Sequence, residues 1–316
     1  MPPPLTSRLY AGERDLPAML DLLVEGRAQT DDWRYPHVGD LLFWFFMVVR
    51  HLDPYQHIRL WQDGERLVGY AMLGEDPAFD CQALPEYAWR GIEEAALDWA
   101  EALVAGLRVS HAQHWSGPLV SGARQDDARR IAFLERRGFR PGGQFSEVNL
   151  ICSLEEPIPD IPIPAGCKVC SMAEIAGRTG SAEISSRAAA HREVWQPWTV
   201  GNVSDEDYAC FMRLPGYRPD LDVVALAPDG AIAAYVNGWI DPRNRIGDFG
   251  PVGARPAYRR QGLTRLVLVE CLRRMRSYGM NRVSVSTGVA NTPAIRLYES
   301  VGFRIVNRYL EYLKSG

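Results

Sequence analysis

The sequence predicts an α+β protein of two tandem domains, on three observations: its length, a proline-rich break near the middle, and an order of strand and helix signals that occurs twice. With 316 residues the chain is long for one compact domain and ample for two, each able to bury its own core. Residues 153–166 read SLEEPIPDIPIPAG. Prolines at 157, 159, 162 and 164 exclude a helix or a central strand there and stiffen the segment. The expected division is 1–152, a linker over 153–166, and 167–316.

In the first half, Leu41 to Val49 (LLFWFFMVV) is the longest apolar run, about half of what a bilayer span requires, and reads as a buried helix. Asp63-Gly64 is a turn between strand-like runs His57–Gln62 and Leu67–Leu73. Leu84-Pro85-Glu86-Tyr87 leads into a helix that should end near Ala105, and Asp127–Arg137 precedes Gly138-Phe139.

The second half follows the same order. Cys167–Met172 reads as a strand, and helical stretches run through Ala190, His191 and Val194 and from the N-cap Ser204, with acidic residues in its first turn. Leu221–Ala227 and Ala231–Ile240 form a hairpin about Asp229-Gly230, and Ile246–Ala254 is the next strand. Leu268, Cys271, Leu272 and Met275 recur at helical spacing, Val283 and Val285 alternate with Ser284 and Ser286, and Asn291-Thr292-Pro293 caps a short helix ended by Gly302. Phe303–Val306 and Arg308–Lys314 are expected to close the domain as a pair of strands. A plan met twice predicts a tandem duplication.

Composition narrows the function. A net charge of -4 without a dense basic run argues against nucleic acid as a partner. The N-terminus has no basic cluster followed by an apolar segment, and no run is long enough to cross a membrane, so a cytoplasmic protein is expected. Cys167-Lys168-Val169-Cys170 lacks a second pair or a nearby His, and His111-Ala112-Gln113-His114 lacks a third ligand, so no metal is expected.

The chemistry concentrates in Pro256–Thr264, PAYRRQGLT, between a strand and an amphipathic helix. The start of a helix presents unpaired N–H groups and the positive end of its dipole, Gly262 lets backbone approach a ligand, and Arg259 and Arg260 add charge. Arg259-Arg260-Gln261-Gly262-Leu263-Thr264 resembles the R-x-x-G-x-[G/A] pyrophosphate loop of the GNAT N-acetyltransferase superfamily, with Thr264 replacing the usual small residue. Asn291-x-x-Ala294-x-x-x-Tyr298-x-x-x-Gly302-Phe303 matches that superfamily's later signature at every position.

This resemblance spans 167–316 and implies two GNAT-like domains, each a mixed, mostly antiparallel, twisted sheet flanked by helices. It implies acetyl-CoA as cosubstrate and a small-molecule primary amine as acceptor. The pyrophosphate would rest on N–H groups from Arg260 through Gln261, Gly262 and Leu263 to Thr264, pantetheine would pair with backbone at Val252 and Ala254, and Asn291 would fix the pantetheine end. Tyr298 would protonate the departing thiolate, and Asp248, eleven residues before Arg259, would serve as base, through water because its side chain is short. His191, Glu193, Trp195 and Trp198 would border the acceptor. A binding protein without turnover, or a transferase of another acyl group, would keep the same loop.

Laid on PAYRRQGLT, the first-half segment PEYAWRGIE keeps proline, tyrosine and glycine but places Ala88 at Arg259 and Glu93 at Thr264. Leu134 stands at Tyr298 and Asp127 at Asn291. A carboxylate repels pyrophosphate and leucine gives no proton, so the first half should have lost the chemistry and serve as an internal pseudo-dimer partner, in a monomer or a homodimer. The tandem layout is similar to that of the mycothiol synthases, but the first half matches only in element order, so no substrate follows from it. Titration calorimetry is expected to find one acetyl-CoA per chain; two equivalent sites, or none, would contradict this reading.

Overall fold

In the computed structural model, which describes residues 5–12, 14–30, 34–48, 52–74, 77–110, 115–175 and 181–315, each turn and cap signal sits between the elements it should separate. The first half contains β1 (Thr6–Leu9), α1 (Asp15–Thr30), α2 (Val38–Phe43) with a π-helical continuation Trp44–Val48, α3 (Pro54–His57), β2 (Ile58–Asp63), β3 (Arg66–Leu73), β4 (Ala78–Ala83), α4 (Ile92–Ser110), β5 (Leu119–Arg124), α5 (Ala128–Arg136) and β6 (Arg140–Ser153). The second contains β7 (Lys168–Ser171), α6 (Met172–Ile175), α7 (Ser181–Trp195), α8 (Asp205–Phe211), β8 (Asp222–Leu226), β9 (Ile232–Asp241), β10 (Ile246–Ala254), α9 (Leu263–Ser277), β11 (Arg282–Gly288), α10 (Thr292–Glu299) and β12 (Arg304–Lys314).

These elements form two compact units. One comprises the described residues of 1–37, 48–148 and 307–316, the other those of 38–47 and 149–306. Two stretches thus fall outside a simple division by chain order. Helix α2 belongs with the second half: Gly39 lies against the Trp239 ring of β9, and Phe43 meets Phe211 of α8 at 6.4 Å between centroids. Its Leu41 and Leu42 are buried there, which accounts for the apolar run in the first half.

The chain end differs from the expected pair of strands. Arg304–Lys314 is one continuous strand, because no glycine, proline or turn pair interrupts it. Its residues from Asn307 onward belong to the first unit, where Tyr309–Lys314 pair antiparallel with Arg124–Leu119. In the first unit the strands lie in the order β1-β2-β3-β4-β5-β12, followed by the 140–148 part of β6. In the second, the rest of β6 is followed by β11-β10-β9-β8-β7. Both sheets are mixed: β4 pairs parallel with β5 in the first, and β10 with β11 in the second.

The second unit's core has two faces. On one, Leu268, Cys271, Leu272 and Met275 of α9 are buried against β8, β9 and β10, and Gly238 and Gly247 leave room for Met275. On the other, Tyr235 and Trp239 of β9 meet α7, α8 and α2. Helix α8 starts where the sequence places it, with Ser204 and Asp207 in a reciprocal capping box. The linker segment 154–167 has no regular structure and is tied down by Arg273, which donates to the Pro159 carbonyl at 3.1 Å and pairs with Asp160 at 2.9 Å. All six cysteines are free, so Cys167 and Cys170 form no disulfide.

Helix α7 comes close to β10 at Gly253, where an added Cβ would stand 2.2 Å from Val194 Cγ1. Gly253→Ala is expected to destabilise the protein by about 1–3 kcal/mol through overpacking, read by denaturant unfolding. Adding Val194→Ala should restore most of that loss; a double variant no better than Gly253→Ala would mean that the close approach is unimportant.

Candidate active site

Strands β10 and β11 pair only at Ile246 with Arg282, Gly247 with Val283 and Asp248 with Ser284. Beyond Asp248 the register of β10 against β9 shifts. Phe249 faces Gly238 and Val252 faces Val236, so Gly250 and Pro251 together oppose Asn237. Such a bulge bends the strand that carries it. The Trp239 indole N–H donates to the Gly250 carbonyl at 2.6 Å and fixes the bend. From there to Ala254, β10 stays on β9 and has left β11. Arg255 N–H donates to Ala233 on the β9 side, so strand alternation turns the backbone groups of Val252 and Ala254 toward the opened side.

At the apex of this split three polar side chains gather. Asp248 is 3% exposed and accepts a 2.6 Å hydrogen bond from the Ser284 hydroxyl. Tyr298, on α10, is 6% exposed. Burial first, and the negative charge of Asp248 second, hold its phenol pKa well above the ordinary range. Tyr298 therefore carries its proton throughout the neutral range. Its ring packs on Phe303 at 5.8 Å, and Phe303 packs on Phe249 at 5.7 Å, which ties α10 to the strand beside the bulge. Asn291 starts α10: its Oδ1 accepts from Ala294 N at 3.4 Å and its Nδ2 donates to Thr287 Oγ1 at 3.2 Å.

The loop after β10 passes through Pro256–Tyr258, one turn of 3-10 helix, and enters α9 at Gly262. Arg260 has φ 63° and Gly262 φ 76°. A non-glycine residue in the left-handed region costs on the order of 1–3 kcal/mol and is held only by its surroundings. Alternating backbone handedness aims successive N–H groups at one point and makes an anion nest. The α9 ladder begins with Leu266 N donating to Gly262 O, and no side chain caps the helix, so the preceding amides have no partner within it. Arg259, Arg260, Gln261 and Gly262 are exposed, Leu263 is buried beneath them and Thr264 is half-buried. Arg259 Nε lies 3.3 Å from the Ala254 carbonyl.

Split strands, a left-handed loop at a helix start and a buried tyrosine form one arrangement. Residues 188–303 match the Acetyltransferase (GNAT) family. A mycothiol acetyltransferase of Acidothermus cellulolyticus is 27% identical over 273 residues, covering 78% of this chain and 76% of that protein. Another from Kineococcus radiotolerans is 29% identical over 262 residues, covering 78% of each. A tandem GNAT protein from the clavulanic acid biosynthesis pathway superposes with TM-score 0.62 over 99% of both chains at 16% identity. A GCN5-related N-acetyltransferase from Sphaerobacter thermophilus does so with TM-score 0.61 at 19% identity, over 98% of this chain and 95% of that one. Residues 188–303 thus carry a GNAT match, and the chain as a whole is similar to tandem GNAT N-acetyltransferases.

Within the second unit, the expected acceptor residues have different surroundings. His191 is fully buried: Nε2 pairs with the Val200 carbonyl at 3.0 Å, and Nδ1 with the Tyr235 hydroxyl at 3.1 Å. A carbonyl only accepts, so Nε2 carries the proton and Nδ1 accepts from Tyr235. Trp195 extends the chain by donating its indole N–H to Tyr235 Oη at 2.9 Å. His191 and Trp195 thus hold α7 on β9. Glu193 forms a fork-to-fork ion pair with Arg255, at 2.5 and 2.8 Å, beside the end of β10. Trp198 is 62% exposed. Residues 176–180, which precede α7, and the pair His111 and His114 lie outside the described residues. Among the described residues no group of three or more His, Cys, Asp or Glu side chains could hold a metal, and no helix is long and apolar enough to cross a membrane.

Sequence reasoning missed the partnership of Ser284 with Asp248. Its signal was the alternation of serines with valines in β11, which puts Ser284 and Ser286 on one face. His191→Ala would leave Tyr235 and the Val200 carbonyl without this partner. A stability loss of about 1–3 kcal/mol in chemical denaturation is expected; lost turnover with unchanged stability would instead put His191 in contact with the acceptor.

Proposed function

We propose that the second unit transfers the acetyl group of acetyl-CoA to a primary amine of a small molecule, by direct attack in a ternary complex. The parting of β10 from β11 above Asp248, Ser284 and Tyr298 carries this reading. It opens backbone hydrogen-bonding groups beside a proton donor, in line with an exposed helix start that can hold phosphate.

Acetyl-CoA supplies the activated acyl thioester. Amides from Arg260 to Thr264 hold its pyrophosphate, with Arg259 and Arg260 adding charge. The backbone of Val252 and Ala254 pairs with pantetheine as an extra strand edge would, and Asn291 marks its far end. Asp248, held by Ser284, draws the proton from the incoming ammonium through water, since a carboxylate this buried has little reach of its own. Tyr298 hands its proton to the departing thiolate. Glu193 and Trp198 line the acceptor entrance, while His191 and Trp195 position them. The relatives are mycothiol acetyltransferases; for this chain the acceptor class proposed is a small-molecule amine.

A free-thiol assay across amines, amino sugars and amino-acid derivatives tests the reading; release of CoA with none of them would favour a non-catalytic binder, and release only with another acyl thioester would change the donor. Tyr298→Phe is expected to lower kcat about 100-fold or more while the KM for acetyl-CoA stays within about threefold. Since its phenol titrates above the ordinary value of 10, the wild-type rate should not fall on the alkaline side below that pH. An unchanged kcat in the phenylalanine variant would remove Tyr298 from the mechanism.

A further inference from the structure

The first unit repeats the split and the loop, and has filled both with its own side chains. Strands β4 and β5 pair only at Ala78 with Val120 and Phe79 with Ser121, then part. In the loop, Trp89 has φ 61° and Gly91 φ 104°, at the positions of Arg260 and Gly262 in the second unit. The amide that this geometry presents is occupied: both oxygens of Glu93 accept from Trp89 N at 2.8 Å. Glu93 is 7% exposed, and burial raises its pKa while the amide contacts oppose that rise.

The split is bridged as well. Counting from the helix caps Asp127 and Asn291, Arg130 stands where the second unit has Ala294. Its Nε donates to the Gly122 carbonyl of β5 at 2.6 Å and its Nη1 lies 3.4 Å from the Cys81 carbonyl of β4. One guanidinium thus spans the strand edges between which pantetheine would have to lie.

A cavity of about 380 Å³ remains beside these two side chains, within the range of about 300–1,000 Å³ usual for small-molecule sites. Its wall includes Tyr35, Trp89, Arg129, Arg130 and Tyr309. Each of its three carboxylates already has a partner: Glu93 accepts from Trp89 N, Asp127 from Arg130 N at 3.0 Å, and Asp80 pairs with Arg130 at 3.3 Å. Arg129 stacks its guanidinium 5.1 Å from the Trp89 ring centre. The Nη2 contacts of Arg130 to Asp80 and Ser121, both 3.3 Å, are long enough to yield to a better acceptor.

We propose that the first unit, closed to acyl-CoA by Glu93 and Arg130, uses this cavity to bind a small organic or inorganic oxyanion on Arg129 and Arg130. The ligand class is a carboxylate or phosphate compound far smaller than CoA. The proposal is independent of the acetyl-transfer reading of the second unit. Calorimetry of the full chain with citrate, and separately with inorganic phosphate, tests it and tells the two anion chemistries apart. One saturable site per chain is expected for at least one probe, weakened about tenfold or more by Arg129→Ala. Because Arg129 is exposed, that variant should fold, and its acetyl-CoA stoichiometry should stay at the wild-type value. Three results would overturn the proposal: neither probe binding with Kd below about 10 mM, binding unaffected by Arg129→Ala, or displacement of the bound probe by acetyl-CoA.

Discussion

The arrangement of the second unit depends on one constraint: β10 cannot stay paired with both of its neighbours beyond Asp248. The two residues of the bulge, Gly250 and Pro251, opposite the single Asn237, set the bend, and the Trp239 indole holds it. Proline has no N–H to give a ladder, so the position favours a break. The proposed chemistry follows from that parting. It frees the backbone of Val252 and Ala254, leaves the Asp248 and Ser284 pair as the last rung, and makes room for α10 to bring Tyr298 to the same point.

The two units use the same backbone devices for different ends. In each, a left-handed residue two before a left-handed glycine turns amides outward ahead of a long helix. The first unit supplies its own anion, since Glu93 sits on the Trp89 amide. That contact shows what a loop of this geometry can hold, and it supports the proposal that the second unit's loop, where Thr264 stands in place of the carboxylate, takes its anion from a ligand. The same exchange recurs in the split: alanine at 294 leaves space, and arginine at 130 fills it. A fold repeated in one chain can in this way be kept twice while its loops diverge.

Much of the fold was legible because its signals are local. The capping box at Ser204, the hairpin at Asp229-Gly230, the cap of α10 at Asn291 and the helical spacing of α9 all depend on residues a few positions apart. The turn into α9 at Gly262 was legible for the same reason. What escaped depends on contacts between distant positions. No local signal says that 304–314 continues as one strand into the first unit, or that α2 belongs with β9 and β10. His191 read as a candidate for chemistry because histidine often is; its burial between Tyr235 and Val200 is set by residues up to 44 positions away. Ser284 and Arg130 were invisible for the same reason, since their roles exist only once two strands lie side by side.

The central claim is that acetyl-CoA occupies the opening between β10 and β11 and rests on the start of α9. Hydrogen–deuterium exchange with and without acetyl-CoA tests it most directly, because the groups said to hold the ligand are backbone amides. Exchange should slow at residues 252–254 and 260–265 and stay unchanged over 85–93, where Glu93 already holds the loop. Unchanged exchange in the second unit's loop, or equal slowing in both loops, would contradict the account.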